Sequence, residues 1–201
     1  MKPADDYLAP AAAARGELRE RGSRFLAVVA PANDEEAALA TLADLAAEHR
    51  DATHHCFAWR LGPTPRERAS DAGEPSGTAG VPILQVLRGR RLSDVVAVVV
   101  RWYGGTKLGK GGLARAYAAA TRLAADELAI ERRFARREIA VRLPYERLGA
   151  VKRLLHPPEI ELVEERYGEQ AELVLAVRAG RDGELTAALA DLGLTASPRQ
   201  R

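Results

Sequence analysis

Residues 104–112 read Gly-Gly-Thr-Lys-Leu-Gly-Lys-Gly-Gly, between an aliphatic run and a stretch rich in alanine and leucine. A glycine-rich turn that joins a strand to a helix lets backbone N–H groups close on a phosphate, with the positive end of the helix behind them. Two of the chain's four lysines, Lys107 and Lys110, lie in this turn. A mobile ammonium suits phosphate contact that makes little demand on geometry. Tight packing and positive φ would explain the glycines, but not the lysines. Two nucleotide-binding patterns come close. Gly104, Gly109 and Lys110 have Walker A spacing, yet Gly111 stands where Ser or Thr would hold magnesium. Gly109, Gly111 and Ala114 follow the dinucleotide form, yet Glu131, about twenty residues on, precedes arginines instead of closing a second parallel strand.

Charge supports a phosphate surface locally and not globally. Thirty basic residues against 28 acidic ones leave a net charge of +2, so no overall field marks a polyanion-coating protein. Between Pro75 and Thr121, however, Arg88, Arg90, Arg91, Arg101, Lys107, Lys110 and Arg115 meet only one acid, Asp94. A segment so biased is a candidate polyanion surface. The plainer alternative has these arginines solvating helix faces or balancing the acids of residues 1–74. Trp102 and Tyr103 adjoin the loop; one suits the core and the other offers a stacking face for a base.

Further candidates lie upstream. Residues 70–80 read Ser-Asp-Ala-Gly-Glu-Pro-Ser-Gly-Thr-Ala-Gly. Asp71 and Glu74 could serve as acid and base or hold a cation. The preferred reading is capping of the next helix, with Ser76 and Thr78 offering hydroxyls to its free N–H groups and Glu74 ahead of its positive end. His54 and Cys56, two apart on a strand, share a face, which would set a base beside a thiol. With no third orienting group in view, core packing is the preferred reading. A single cysteine and four histidines exclude a disulfide framework and offer no spaced ligand set, so no metal and no cofactor are expected.

The elements that must position these groups follow from periodicity. Residues 16–20 and 24–30 suggest a hairpin across Arg-Gly-Ser. Asn33 precedes three acids and a helical apolar pattern, predicting a helix over 34–49. Residues 54–61 read as a strand and 62–77 as a loop. A short helix opens near Pro82. The run 94–102, Val-Val-Ala-Val-Val-Val at its heart, predicts a central strand covered on both faces. Residues 113–128 follow as a helix. Beyond an arginine-rich junction at 131–137, the segments 138–143, 145–154, 159–165, 171–178, 182–191 and 195–196 read strand, helix, strand, strand, helix, strand, the split βαβ plan. The class is α+β, with one domain over 1–131 and a ferredoxin-like one over 135–201. The longest aliphatic run is too short to span a bilayer. Asp5 and Asp6 stand where a secretory leader would be basic, so a cytoplasmic protein without membrane contact is expected.

Two stretches together resemble a known family. Asp71-Ala72-Gly73-Glu74-Pro75-Ser76-Gly77-Thr78-Ala79-Gly80-Val81-Pro82 and Val98-Val99-Val100-Arg101-Trp102-Tyr103-Gly104-Gly105-Thr106-Lys107-Leu108-Gly109-Lys110-Gly111-Gly112-Leu113 are similar to the paired motifs of the IMPACT/YigZ family, bacterial two-domain type. His54-His55-Cys56 resembles that family's strand. The resemblance implies a ribosomal-protein-S5-domain-2-like unit followed by a ferredoxin-like unit similar to the last domain of elongation factor G. It also implies a role around translation or RNA. Eukaryotic members act with an additional N-terminal RWD domain, for which few residues precede Gly16, so their partner mechanism is not carried over. Lys110 departs from the small residue expected between Gly109 and Gly111, which strengthens the phosphate reading.

The expectation is a regulator associated with translation, and not an enzyme, that binds RNA or the ribosome through Arg88, Arg90, Arg91, Arg101, Tyr103, Lys107, Lys110 and Arg115. Two alternatives stand beside it. One is a small-molecule phosphate or nucleotide enzyme using residues 104–112 with Asp71 and Glu74. The other is a protein-interaction module whose basic face meets an acidic partner in translation control.

Overall fold

The computed structural model describes residues 6–199. The chain divides into two compact units that break between Arg133 and Phe134. The first is built on a five-stranded sheet. It contains the hairpin β2 (Ala14–Glu20) and β3 (Ser23–Pro31), then α1 (Glu35–Glu48), β4 (His54–Leu61), β5 (Arg66–Ser70), α2 (Gly80–Gly89), β6 (Val95–Trp102) and α3 (Gly109–Asp126). A separate short pair joins β1 (Asp6–Pro10) to β7 (Ile130–Phe134). The sheet runs β2-β3-β6-β4-β5 with every neighbouring pair antiparallel.

β6 holds the centre, as its unbroken aliphatic run predicts. Val95, Ala97 and Val99 pack with Phe25, Ile83, Leu87 and Tyr117 beneath α2 and α3. Val96, Val98 and Val100 pack with Leu45, Phe57 and Trp59 beneath α1. Side chains alternate along a strand, so a strand buried on both faces must be apolar at every position. Such a run reports helical cover on two sides and says nothing of strand direction.

Several boundaries differ from expectation. The cap of α1 is Asp34, whose carboxylate accepts the Ala37 N–H at 2.8 Å, and not Asn33. The expected loop 62–77 contains edge strand β5, whose Arg66, Glu67 and Arg68 are all exposed. An edge strand carries no apolar alternation when its faces are wet, and so reads as loop. α3 starts at Gly109, inside the glycine loop, and Gly109 itself enters it with a positive φ of 70° that favours glycine. The arginine-rich junction is largely strand, in β7 and β8 (Arg136–Leu143).

The second unit follows the split βαβ plan: β8, α4 (Tyr145–Lys152), β9 (Ile160–Tyr167), β10 (Ala171–Arg178), α5 (Asp182–Asp191) and β11 (Ala196–Pro198). Its strand order β11-β8-β10-β9 interleaves the two βαβ halves. Its core joins Ile139, Val141, Leu143, Leu173, Leu175 and Leu189. The α+β class and, in this unit, the order of elements agree with the sequence reading. No helix among the described residues is long and apolar enough to cross a membrane.

Candidate nucleic-acid interface

Register brings the two motif segments together. Arg101, near the end of β6, lies beside Phe25 of β3 and His54 of β4, all on the face covered by α2 and α3. The loop before α2 brings Glu74 over this point, and α3 brings Tyr117. The Arg101 and Glu74 side chains are 5% and 3% exposed, with Nη1 to Oε1 at 2.5 Å. Removing two charges from water requires that both be paired and hydrogen-bonded. The Tyr117 hydroxyl accordingly donates to Glu74 at 2.7 Å, while Arg101 Nη2 donates to Ser23 Oγ at 3.3 Å. His54 donates from Nδ1 to the Ala72 carbonyl at 2.9 Å and turns Nε2 toward Glu74 at 3.9 Å.

The same network reaches the glycine loop. Ser23 Oγ also accepts the Gly104 N–H at 3.1 Å. The hairpin turn at Arg21 and Gly22 lies against Gly104 so closely that a Cβ there would overlap the Gly22 carbonyl. Only glycine permits that approach. Acidic loop, β6, hairpin turn and glycine loop are therefore tied through Glu74, Arg101 and Ser23.

The other upstream candidates are structural. Asp71 caps α2: its carboxylate accepts the N–H groups of Gly77, Ala79 and Gly80 at 2.8–2.9 Å. Burial alone would push its pKa up, but these three bonds outweigh it and hold the carboxyl below its usual range. Ser76 and Thr78 are not the caps, since Thr78 Oγ1 instead donates to the Pro75 carbonyl. Nor does Glu74 face the start of α2; it belongs to Arg101. Cys56 is buried, with its thiol at 2.9 Å from the Asp71 carbonyl, and burial pushes its pKa up to about 12. It is no nucleophile near neutral pH. Among the described residues, no group of three or more His, Cys, Asp or Glu is placed to hold a metal.

The eight residues expected to form one basic surface do not form one. Arg101 is buried on Glu74. Arg88 pairs with Glu67 and Arg90 with Asp126. Arg88 lies in the last turn of α2 and Arg90 and Arg91 just after it, ahead of the start of β6, whereas the glycine loop follows the end of β6. At roughly 3.3 Å per residue, the eight residues of β6 hold these groups roughly 20 Å apart. What remains at the loop is Lys107, Lys110 and Arg115, all exposed, and no acidic partner for any of them appears among the described residues. No side chain caps α3, so the N–H groups of its first turn carry no side-chain partner. Tyr103 is 45% exposed, with the Arg101 guanidinium 5.4 Å from its ring centroid. Trp102 turns to the opposite face, where its Nε1–H donates to Asp51. Sequence reasoning missed Arg21, which the hairpin turn delivers to the same place. Its only signal was the Arg-Gly-Ser turn, some eighty residues upstream in sequence of the loop it meets.

A family model described as the Impact N-terminal domain matches residues 21–125, more than half of the chain. The chain belongs to the IMPACT family. A second model, a domain of unknown function (DUF1949), matches residues 141–193. The IMPACT family member YigZ of Escherichia coli (strain K12) is 36% identical over 190 residues, covering 93% of each chain. The member YvyE of Bacillus subtilis (strain 168) is 36% identical over 167 residues, 83% of this chain and 77% of that one. A crystal structure described as that of a hypothetical protein aligns over 98% of this chain and 99% of its own, with a TM-score of 0.82 and 34% identity. In this family member, both motif segments converge on the one network around Glu74 and Arg101.

Proposed function

We propose that this IMPACT-family protein is a regulator associated with translation that binds RNA, free or in the ribosome, through its glycine-loop face. One observation carries the reading. Arg88, Arg90 and Arg101 are each bound to a carboxylate, whereas Lys107, Lys110 and Arg115 stand exposed around the uncapped start of α3 with no acid of their own. Three such cations grouped at one helix start, with no acid among them, are suited to a chain of phosphates. Tyr103 adds an aromatic face for an unpaired base. The link to translation rests on the family resemblance, and a cytoplasmic location accords with it. The enzyme alternative loses its acid–base pair, because the Asp71 oxygens take three backbone N–H groups and Glu74 is enclosed by Arg101 and Tyr117.

The test is the salt dependence of single-stranded RNA binding. Three neutralised phosphates at roughly −0.7 each give a slope of log K against log salt near −2. Lys107→Ala with Lys110→Ala should flatten it to about −0.7. An unchanged slope in that double variant would remove the loop from the binding surface. Association that survives nuclease treatment would instead point to an acidic protein partner.

A further inference from the structure

A cleft of about 210 Å³ opens beside the glycine loop, between β2 and the first turns of α3. Leu18, Leu108, Ala116 and Ala119 give it an apolar floor, and Arg21 and Arg115 stand at its edge with Glu20. Arg115 has no acidic partner among the described residues, and Arg21 approaches Glu20 only at 3.8 Å. The cleft thus offers two surfaces of different character side by side. One is apolar and the size of a small ring; the other is a pair of guanidinium groups, whose planar donors match phosphate oxygens.

We propose that this cleft receives one nucleotide unit, with the base on the apolar floor and its phosphate between Arg115 and Arg21. The assignment rests on the RNA reading above and deepens it from a phosphate surface to a site that selects a single unstacked residue. Size limits the occupant. The volume falls below the roughly 300–1,000 Å³ typical of sites for drug-sized ligands and equals that of about seven liquid waters. A single base fits that limit and a longer aliphatic chain does not. Glu20 supplies an acceptor that a base N–H can use, and that a second phosphate would find repulsive. The neighbouring lysines, Lys107 and Lys110, lie along the loop, where the adjoining phosphates of a longer strand would pass.

The experiment uses the full chain, a labelled dodecameric oligouridylate and uridine 5′-monophosphate. Ala119 is half-buried on α3, so Ala119→Leu fills the cleft without removing a charge or weakening the helix. We expect this variant to bind the oligomer about fivefold or more weakly, the equivalent of about 1 kcal/mol of lost apolar contact, with the salt slope unchanged. Binding within twofold of wild type, together with a flattened slope for the Lys107→Ala, Lys110→Ala variant, would overturn the cleft and leave the loop reading standing. If the oligomer does not bind at all, the loop reading fails by itself. Calorimetry with the mononucleotide at low salt then decides the cleft: heat abolished by Ala119→Leu supports it, and no heat overturns it. Should Ala119→Leu fail to fold, the wild-type chain is crosslinked to 4-thiouridine oligomers. Adducts on the peptides containing Leu18 or Leu108 support the site, and adducts confined to other peptides overturn it.

Discussion

Replacing Glu74 with alanine tests the network that ties the two motif segments together. The side chains of Arg101 and Glu74 are 5% and 3% exposed, so Glu74→Ala leaves a guanidinium in the core with only Ser23 as a side-chain hydrogen-bond partner. The buried Nε of Arg101 already has no hydrogen-bond partner, which leaves little in reserve. Breaking a buried ion pair from one side costs about 3–5 kcal/mol. For a unit of this size a loss of 1 kcal/mol lowers Tm by about 4 °C, so the expected fall is roughly 12–20 °C. Both tryptophans, Trp59 and Trp102, lie in the first unit, so tryptophan fluorescence during heating or urea unfolding follows that unit alone. Adding Arg101→Met removes the orphaned charge while keeping most of the volume, and should recover more than half of the loss. Two results would refute the reasoning: a cost below about 1 kcal/mol for Glu74→Ala, or no recovery in the double variant. The first would mean that water reaches the pair; the second would mean that packing, not charge, was lost.

Other outcomes follow from the same contacts. Asp71→Ala should cost about 1 kcal/mol at pH 7, the usual worth of an N-terminal cap, as measured by urea unfolding. Because the folded Asp71 carboxyl sits below its usual range, its contribution is present above the unfolded pKa and lost as pH falls through the lower folded value. Wild type and Asp71→Asn should therefore begin to converge in stability as pH falls below about 4 and meet only below the folded value. Tyr117→Phe withdraws one donor from Glu74 and should cost about 1–2 kcal/mol, less than Glu74→Ala in the same assay. Cys56, buried with its pKa pushed up to about 12, should resist iodoacetamide in the native state. Its alkylation rate should rise only with denaturant, and rapid labelling without denaturant would contradict the burial.

Much of this molecule is legible in its sequence, for identifiable reasons. An uninterrupted Val-Val-Ala-Val-Val-Val run has one stable place, at the centre of a sheet covered twice, and β6 occupies it. In the second unit, alternating strands punctuated by Pro157, Pro158 and Gly168 spell out the split βαβ order. The Asp-Ala-Gly-Glu and Gly-Gly-Thr-Lys segments announce special backbone, because only turns, caps and close approaches call for such clusters of glycine. Edge strand β5 was illegible because its exposed residues carry no apolar period. The start of α3 was hidden by glycines that the local pattern assigns to a loop.

What a linear chain cannot express is which charges find each other. Arg88, Arg101 and Lys107 look alike as a local excess of positive charge, since their acidic partners are distant in sequence or missing. Antiparallel register beside His54 and Phe25 takes Arg101 into the core with Glu74; proximity to β5 neutralises Arg88 with Glu67; Arg91 is exposed at the far end of β6; and Lys107, Lys110 and Arg115 face solvent together at the glycine loop. The sequence by itself determined the class, the order of elements in the second unit and the two special loops, because periodicity and glycine placement are local properties of the chain. Tertiary structure alone decided which cations are free and brought Arg21 to them, because Coulomb energy depends on distances in space that the fold creates.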